Sequence, residues 1–129
     1  MSQIKIYGLK THLAPIKKQL SDTLHSCIVE AFQYPENKRA HRFFELEPED
    51  FYYPEGRTNF YTILEISLFE GRSLRAKKEL YRLLFDRFEK ELSIKPNDLE
   101  ITLTETPPHN WGIRGKSGDE LALDYSIAV

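Results

Sequence analysis

The sequence predicts an α/β (α+β) fold of two β-α-β units, a four-stranded mixed sheet with two helices on one face. Three observations carry that prediction. Residues 3–7, 41–47, 61–69 and 99–104 alternate polar and apolar side chains, the pattern of half-buried strands. Two intervening stretches carry apolar residues at spacings of three and four, the stripe of an amphipathic helix. The whole chain has 129 residues, enough for one domain and its core but not for two.

The elements follow in order. Ile4 and Ile6 share one face of the first strand, and Gly8 ends it. The first helix carries Leu13, Ile16, Leu20, Leu24, Cys27, Ile28 and Ala31 on one side. Thr11 is its expected N-cap, and Pro15 suits only a first turn, where its missing N–H costs nothing. Pro35 disfavours a helical Tyr34, so the helix should stop near Gln33. The second strand places Phe44 and Leu46 on one side. Residues 48–60, with Pro48, Pro54, Gly56 and three adjacent aromatics, read as a long loop with room for a short strand. The third strand puts Leu64, Ile66 and Leu68 on one face. Ser73 is the expected N-cap of the second helix, whose stripe is Ala76, Leu80, Leu84, Phe88 and Leu92. In the fourth strand Leu99, Ile101 and Leu103 alternate with Glu100, Thr102 and Thr104. Pro107 and Pro108 stop that strand, and a tail with Trp111, Tyr125, Ile127 and Val129 follows.

Composition narrows the function. The net charge is −2, so free nucleic acid is not an expected partner, because phosphate binding needs a basic surplus or stripe. No apolar run reaches the length of a membrane span, and residues 1–6 have no signal-peptide core. A single cysteine, Cys27, excludes an intrachain disulfide and fits a reducing, cytoplasmic setting. It lies on the apolar stripe and reads as a small hydrophobe rather than a nucleophile. The four histidines show no metal-ligand spacing, and Gly115-Lys116-Ser117 lacks the rest of a P-loop. No cofactor or metal is expected.

Two helices cover only one face of a four-stranded sheet. The other face carries Lys5, Tyr7, Ile63, Glu65, Ser67, Glu100, Thr102 and Thr104, a mixed set that invites oligomerisation. The two halves, offset by about 60 residues, look like an internal duplication. The ferredoxin-like fold and the tautomerase superfamily share this element order, and pattern alone does not separate them.

Four segments together resemble the tautomerase superfamily, in the branch that looks like malonate semialdehyde decarboxylase. They are the strand at the chain start; Val29-Glu30-Ala31-Phe32-Gln33-Tyr34-Pro35; Glu70-Gly71-Arg72-Ser73 with Lys77; and Ile94-Lys95-Pro96-Asn97-Asp98-Leu99 with Glu105 and Asn110-Trp111-Gly112. The resemblance implies a homotrimer, with the tail after Pro108 reaching a neighbouring subunit. It also implies a site for a small carboxylate or carbonyl ligand. The family's catalytic residue is an N-terminal proline; here the matching position is Ser2, whose amine is freed if Met1 is removed. Arg72 matches the arginine that binds the substrate oxygen, and Trp111 matches an aromatic wall of the pocket. Ile113 stands where a phenylalanine is expected. Lys38 or a neighbour falls at the family's acidic position, and Glu70 replaces a second arginine. These two departures argue against decarboxylation by the family's mechanism. The resemblance implies a weak tautomerase with Ser2 and Arg72 as catalytic residues, or a trimeric binding or structural protein that has lost the proline. The ferredoxin-like reading implies a small-molecule regulatory module instead.

Overall fold

In the computed structural model, which describes residues 2–129, four strands form one sheet in the order β2-β1-β3-β4. They are β1 (Ser2–Leu9), β2 (His41–Leu46), β3 (Thr62–Phe69) and β4 (Leu99–Thr106). β1 and β2 run parallel, as do β3 and β4, so each half is the expected β-α-β unit. The two first strands, however, pair antiparallel, with Ser2 opposite Leu68 and Tyr7 opposite Ile63. This antiparallel pairing is what makes the sheet mixed. The antiparallel centre still sets the start of β1 beside the end of β3, so Ser2 and the Gly71–Ser73 turn share one end of the sheet. Met1, whose removal would free the Ser2 amine, lies outside the described residues.

The first helix begins earlier than its stripe implied. A short turn of helix, α1 (Lys10–Leu13), leads through a 3₁₀ turn at Ala14–Ile16 into α2 (Lys17–Phe32). Pro15 sits in that 3₁₀ turn, where its missing N–H breaks the α-helical ladder. Thr11 therefore lies inside α1 and caps nothing. Gln33 ends α2 in the left-handed conformation (φ 50°), and Tyr34 N–H donates to the Val29 carbonyl at 3.1 Å. The second long helix, α3 (Leu74–Leu92), is capped as expected: the Ser73 hydroxyl accepts from Ala76 N–H at 3.1 Å.

Both helices lie on the face carrying Ile4, Ile6, Leu64, Ile66 and Leu68, and the core closes with Leu20, Leu24, Cys27, Leu80, Leu84 and Phe88. The register of β2 decides which of its two aromatics faces the core. Its register sets Phe43 beside Ile6 on the core face. Phe44 instead faces the uncovered side, 37% exposed and stacked on Tyr7 at 4.8 Å between ring centroids. The loop between β2 and β3 contains a 3₁₀ turn at Pro48–Asp50 and no strand among the described residues.

After β4 the chain makes a small hairpin, β5 (Gly112–Ile113) and β6 (Lys116–Ser117). The end of the tail then returns to its own subunit. Tyr125 and Val129 pack against the core, and Ser73 N–H donates to the Val129 carbonyl at 3.0 Å. Residues 125–129 thus pack on their own chain, where the turn before α3 supplies a surface that covers them. No helix among the described residues is long and apolar enough to cross a membrane.

Candidate functional site

The end of the sheet that carries the start of β1 also carries the start of β2 and the ends of β3 and β4. Four loops and strand ends therefore converge there. A cleft of about 240 Å³ opens between them, lined by Ser2, Tyr34, Asn37, Lys38, Arg39, Ala40, Ile113 and Arg114. Three of the five candidate residues, Ser2, Lys38 and Ile113, thus line one cleft. Ser2 arrives on β1, Lys38 on the loop after α2, and Ile113 on the β5–β6 hairpin.

Arg72 lies behind this cleft rather than on its wall. It is 5% exposed. Its Nη1 donates to the Phe69 carbonyl at 3.0 Å, and its guanidinium lies 5.1 Å from the centre of the Phe32 ring. Burial pushes its pKa down, while the Tyr125 and Tyr34 phenols and the Glu105 carboxylate favour the charged form. Nε and Nη2 are buried and meet no acceptor in hydrogen-bonding geometry. Tyr34 connects the two levels: it lines the cleft and is also among the groups acting on Arg72.

The tail forms a roof on this arrangement. Tyr125 meets Tyr34 edge to face at 5.3 Å. Lys38 Nζ lies 5.1 Å from the Tyr125 ring centre and pairs with Asp124 at 3.0 Å. Burial and the neighbouring Tyr34 push the Tyr125 phenol up, well beyond the ordinary tyrosine range. Glu105 is held by an ion pair with Lys77 from α3.

Trp111 occupies a neighbouring place. Its indole N–H donates to the Thr106 hydroxyl at 2.8 Å, and its ring meets Phe69 edge-on at 5.2 Å. It lines a separate depression with Gln3, Ser67, Thr104 and Asn110 on the uncovered face of the sheet. Within one chain Trp111 does not line the Ser2 cleft. Glu70 is exposed, and its N–H donates to the Thr106 carbonyl at 3.0 Å.

Sequence reasoning did not single out Tyr34, Asn37, Ala40 or Arg114 as part of a site. Tyr34 had a signal, since an aromatic residue directly after a helix stop and before a proline is held in place by both. Arg114 had a weaker one, a cation at the tip of a glycine-bearing turn. The cleft brings the cations Lys38, Arg39 and Arg114 around the residue-2 backbone, and Arg39 is itself paired with Asp22 at 2.6 Å.

Residues 38–114 match the family described as "Tautomerase enzyme". The chain is 30% identical over 100 residues to the "Probable tautomerase YrdN" of Bacillus subtilis (strain 168), covering 73% of this chain and 76% of that one. A solved structure of malonate semialdehyde decarboxylase superimposes with a TM-score of 0.81 at 25% identity, covering 92% of this chain and 99% of that chain. A fused 4-OT solved as an asymmetric trimer gives a TM-score of 0.79 at 19% identity, covering 91% and 96%.

Proposed function

The chain belongs to the tautomerase enzyme family, and from that premise we propose that it is a weak keto–enol tautomerase of a small carbonyl acid. The observation that carries this reading is the convergence of Ser2, Lys38 and Ile113 on one cleft, with Arg72 directly behind Tyr34. In the proposed reaction the neutral Ser2 amine accepts the enol O–H proton and returns it to the adjacent carbon. No electrons are exchanged and no cofactor is consumed. Arg72 offers a forked donor to the substrate carboxylate, which suits a planar acceptor better than a lysine would. Lys38 adds positive charge at the rim, Ile113 supplies an apolar edge, and Trp111 walls the adjoining depression. Glu70 and Lys38, in place of the family's second arginine and acidic residue, support tautomerisation over decarboxylation.

The proposed working form is a homotrimer, like the fused 4-OT solved as a trimer, with the uncovered sheet faces turned toward one another. Cys27, buried and the one cysteine of the sequence, accords with a cytoplasmic setting. The second reading is a trimeric binding or structural protein, favoured by serine at position 2 and by the roof over Arg72. Ketonisation of enol-phenylpyruvate decides between them. A rate above buffer that Arg72→Ala abolishes supports the tautomerase. A wild-type rate equal to buffer establishes the binding or structural reading.

A further inference from the structure

Residues 121–129 contain neither helix nor strand, yet they close over the turn that carries Arg72. Several contacts hold them, including the packing of Tyr125 and Val129 on the core and Lys38 over the Tyr125 ring. Asp124 pairs with Lys38 at 3.0 Å, and the side chain of Asp124 is 71% exposed. Tyr125 stands edge-on to Tyr34. Ile127 sits so close to Gly71 that a β-carbon there would lie 2.9 Å from its Cγ2. The Val129 carbonyl accepts from Ser73 N–H. Gly71 itself adopts φ 137°, a conformation that side chains rarely take. The turn is therefore built to admit Ile127 closely.

The layer beneath is Arg72, whose Nε and Nη2 are buried and meet no acceptor in hydrogen-bonding geometry, with the strap's Tyr125 phenol as a neighbouring polar group. Those two nitrogens form one edge of the guanidinium fork, the edge that fits both oxygens of a carboxylate. In the closed state the Tyr125 phenol is the polar group acting on this guanidinium, and a neutral phenol out of good hydrogen-bonding geometry is a weaker partner for a buried cation than a carboxylate. The segment above has no helix or strand hydrogen bonding to hold it, and its ion pair is exposed and screened. Such segments open locally at low cost relative to the core.

We propose that residues 121–129 are a displaceable strap closed over the anion-binding edge of Arg72, and that a small carboxylate reaches Nε and Nη2 only as Tyr125 moves off Tyr34. The strap then regulates the site of the tautomerase reading, on which this inference rests. While the strap is closed the site is occluded, and the apparent affinity is the intrinsic affinity reduced by the open fraction.

Ser73 N–H reports opening directly, because its acceptor is on the strap. Amide exchange at Ser73 and binding of phenylpyruvate, followed by NMR, are compared in wild type and Ile127→Ala. The expected result is Ser73 exchange faster by about tenfold, with phenylpyruvate bound more tightly by a similar factor. Faster exchange with unchanged affinity overturns the proposal. Asp124→Asn, at an exposed position, gives the same comparison should Ile127→Ala unfold the chain. Ketonisation separates this inference from the reaction it rests on. If affinity and exchange move together but no ketonisation occurs, the strap stands and the tautomerase reading falls. If phenylpyruvate is turned over and binds with Ser73 exchange insensitive to both variants, the strap falls alone. No binding to any of the proteins removes both.

Discussion

The guanidinium of Arg72 lies 5.1 Å from the centre of the Phe32 ring, packed between the end of α2 and the end of β3. Nη1 donates to the Phe69 carbonyl, Nε and Nη2 meet no acceptor in hydrogen-bonding geometry, and the Tyr125 phenol is a nearby polar group. A buried cation so placed is poor for stability and well placed for binding an anion. Arg72→Met keeps the length and the contact with Phe32 while removing the charge. Losing the Phe69 bond costs about 1 kcal/mol, and removing a buried, incompletely partnered cation returns about as much or more. The thermal midpoint is expected to stay level or rise by roughly 3–5 °C, while phenylpyruvate binding is lost. A fall of ten degrees or more in calorimetry would show that Arg72 is structural.

The uncovered sheet face sets a second expectation. Ile63, Tyr7 and Ser67 are half-buried there, and Glu65, Thr102 and Thr104 are exposed. Burial and the nearby Glu65 raise the Tyr7 phenol, so Tyr7 stays neutral and Glu65 is its acceptor partner. Light scattering at micromolar protein should give three times the monomer mass. Ile63→Arg, which adds a charge at the centre of this face, should reduce the mass to one chain with the fold intact by circular dichroism. A monomer mass for the unmodified protein ends the trimer proposal.

Much of this architecture was legible in the sequence, for identifiable reasons. Ile4, Ile6, Leu64, Ile66 and Leu68 alternate because one sheet face is buried, and the Leu20–Leu24–Ile28 and Leu80–Leu84–Phe88 stripes face that sheet. Period and burial are local signals, so strands, helices and the core follow from them. The direction of β1 relative to β3 is not local. It depends on which edges pair after both units form, and the alternation is the same either way. Phe43 and Phe44 show a related limit: two adjacent aromatics give no sign of which faces the core until the register with Ile6 is known. The site was legible only as far as individual residue types. Ser2, Arg72 and Lys38 are named only through the family resemblance of their segments, whereas the tail over Arg72 is a contact across more than 50 residues, made by Ile127 against Gly71.

His41 gives the fold a pH dependence. It is pushed down to about 4 by burial first, then by His25 and Arg39. The His25 ring lies 5.9 Å away, and the Ser21 hydroxyl meets His41 Nδ1 at 2.8 Å. In the unfolded chain a histidine titrates near 6.5. Between about 4 and 6.5 the unfolded state therefore binds more protons, and stability falls as pH drops through that window. The full effect is on the order of 2–3 kcal/mol. Urea midpoints should decline from pH 7 to pH 4.5, and His41→Gln, which cannot titrate, should flatten that decline. An equal slope in both proteins would assign the effect to other groups.

The last expectation concerns the amine itself. Ser2 sits at the start of β1 opposite Leu68 and lines the cleft with Lys38, Arg39 and Arg114. What serine lacks is the rigid ring and the greater basicity of a secondary amine. Proline is tolerated at the first residue of a strand, so Ser2→Pro should fold normally. After methionine removal, confirmed by intact mass, it presents a secondary amine whose pKa the surrounding cations lower toward neutrality. Ketonisation of enol-phenylpyruvate is expected to rise several-fold, with the larger gain on the alkaline side of a pH 6–9 profile, where more of the amine is neutral. Glu70 is exposed at the neighbouring turn; by stabilising the protonated amine it works against that gain, so Glu70→Gln in the Ser2→Pro background should increase it. If the wild type is already fast and Ser2→Pro is slower, the serine is itself the working catalytic group. The primary amine, able to form a Schiff base with a carbonyl substrate where the family's proline would form only an iminium ion, then becomes the feature to trap with borohydride.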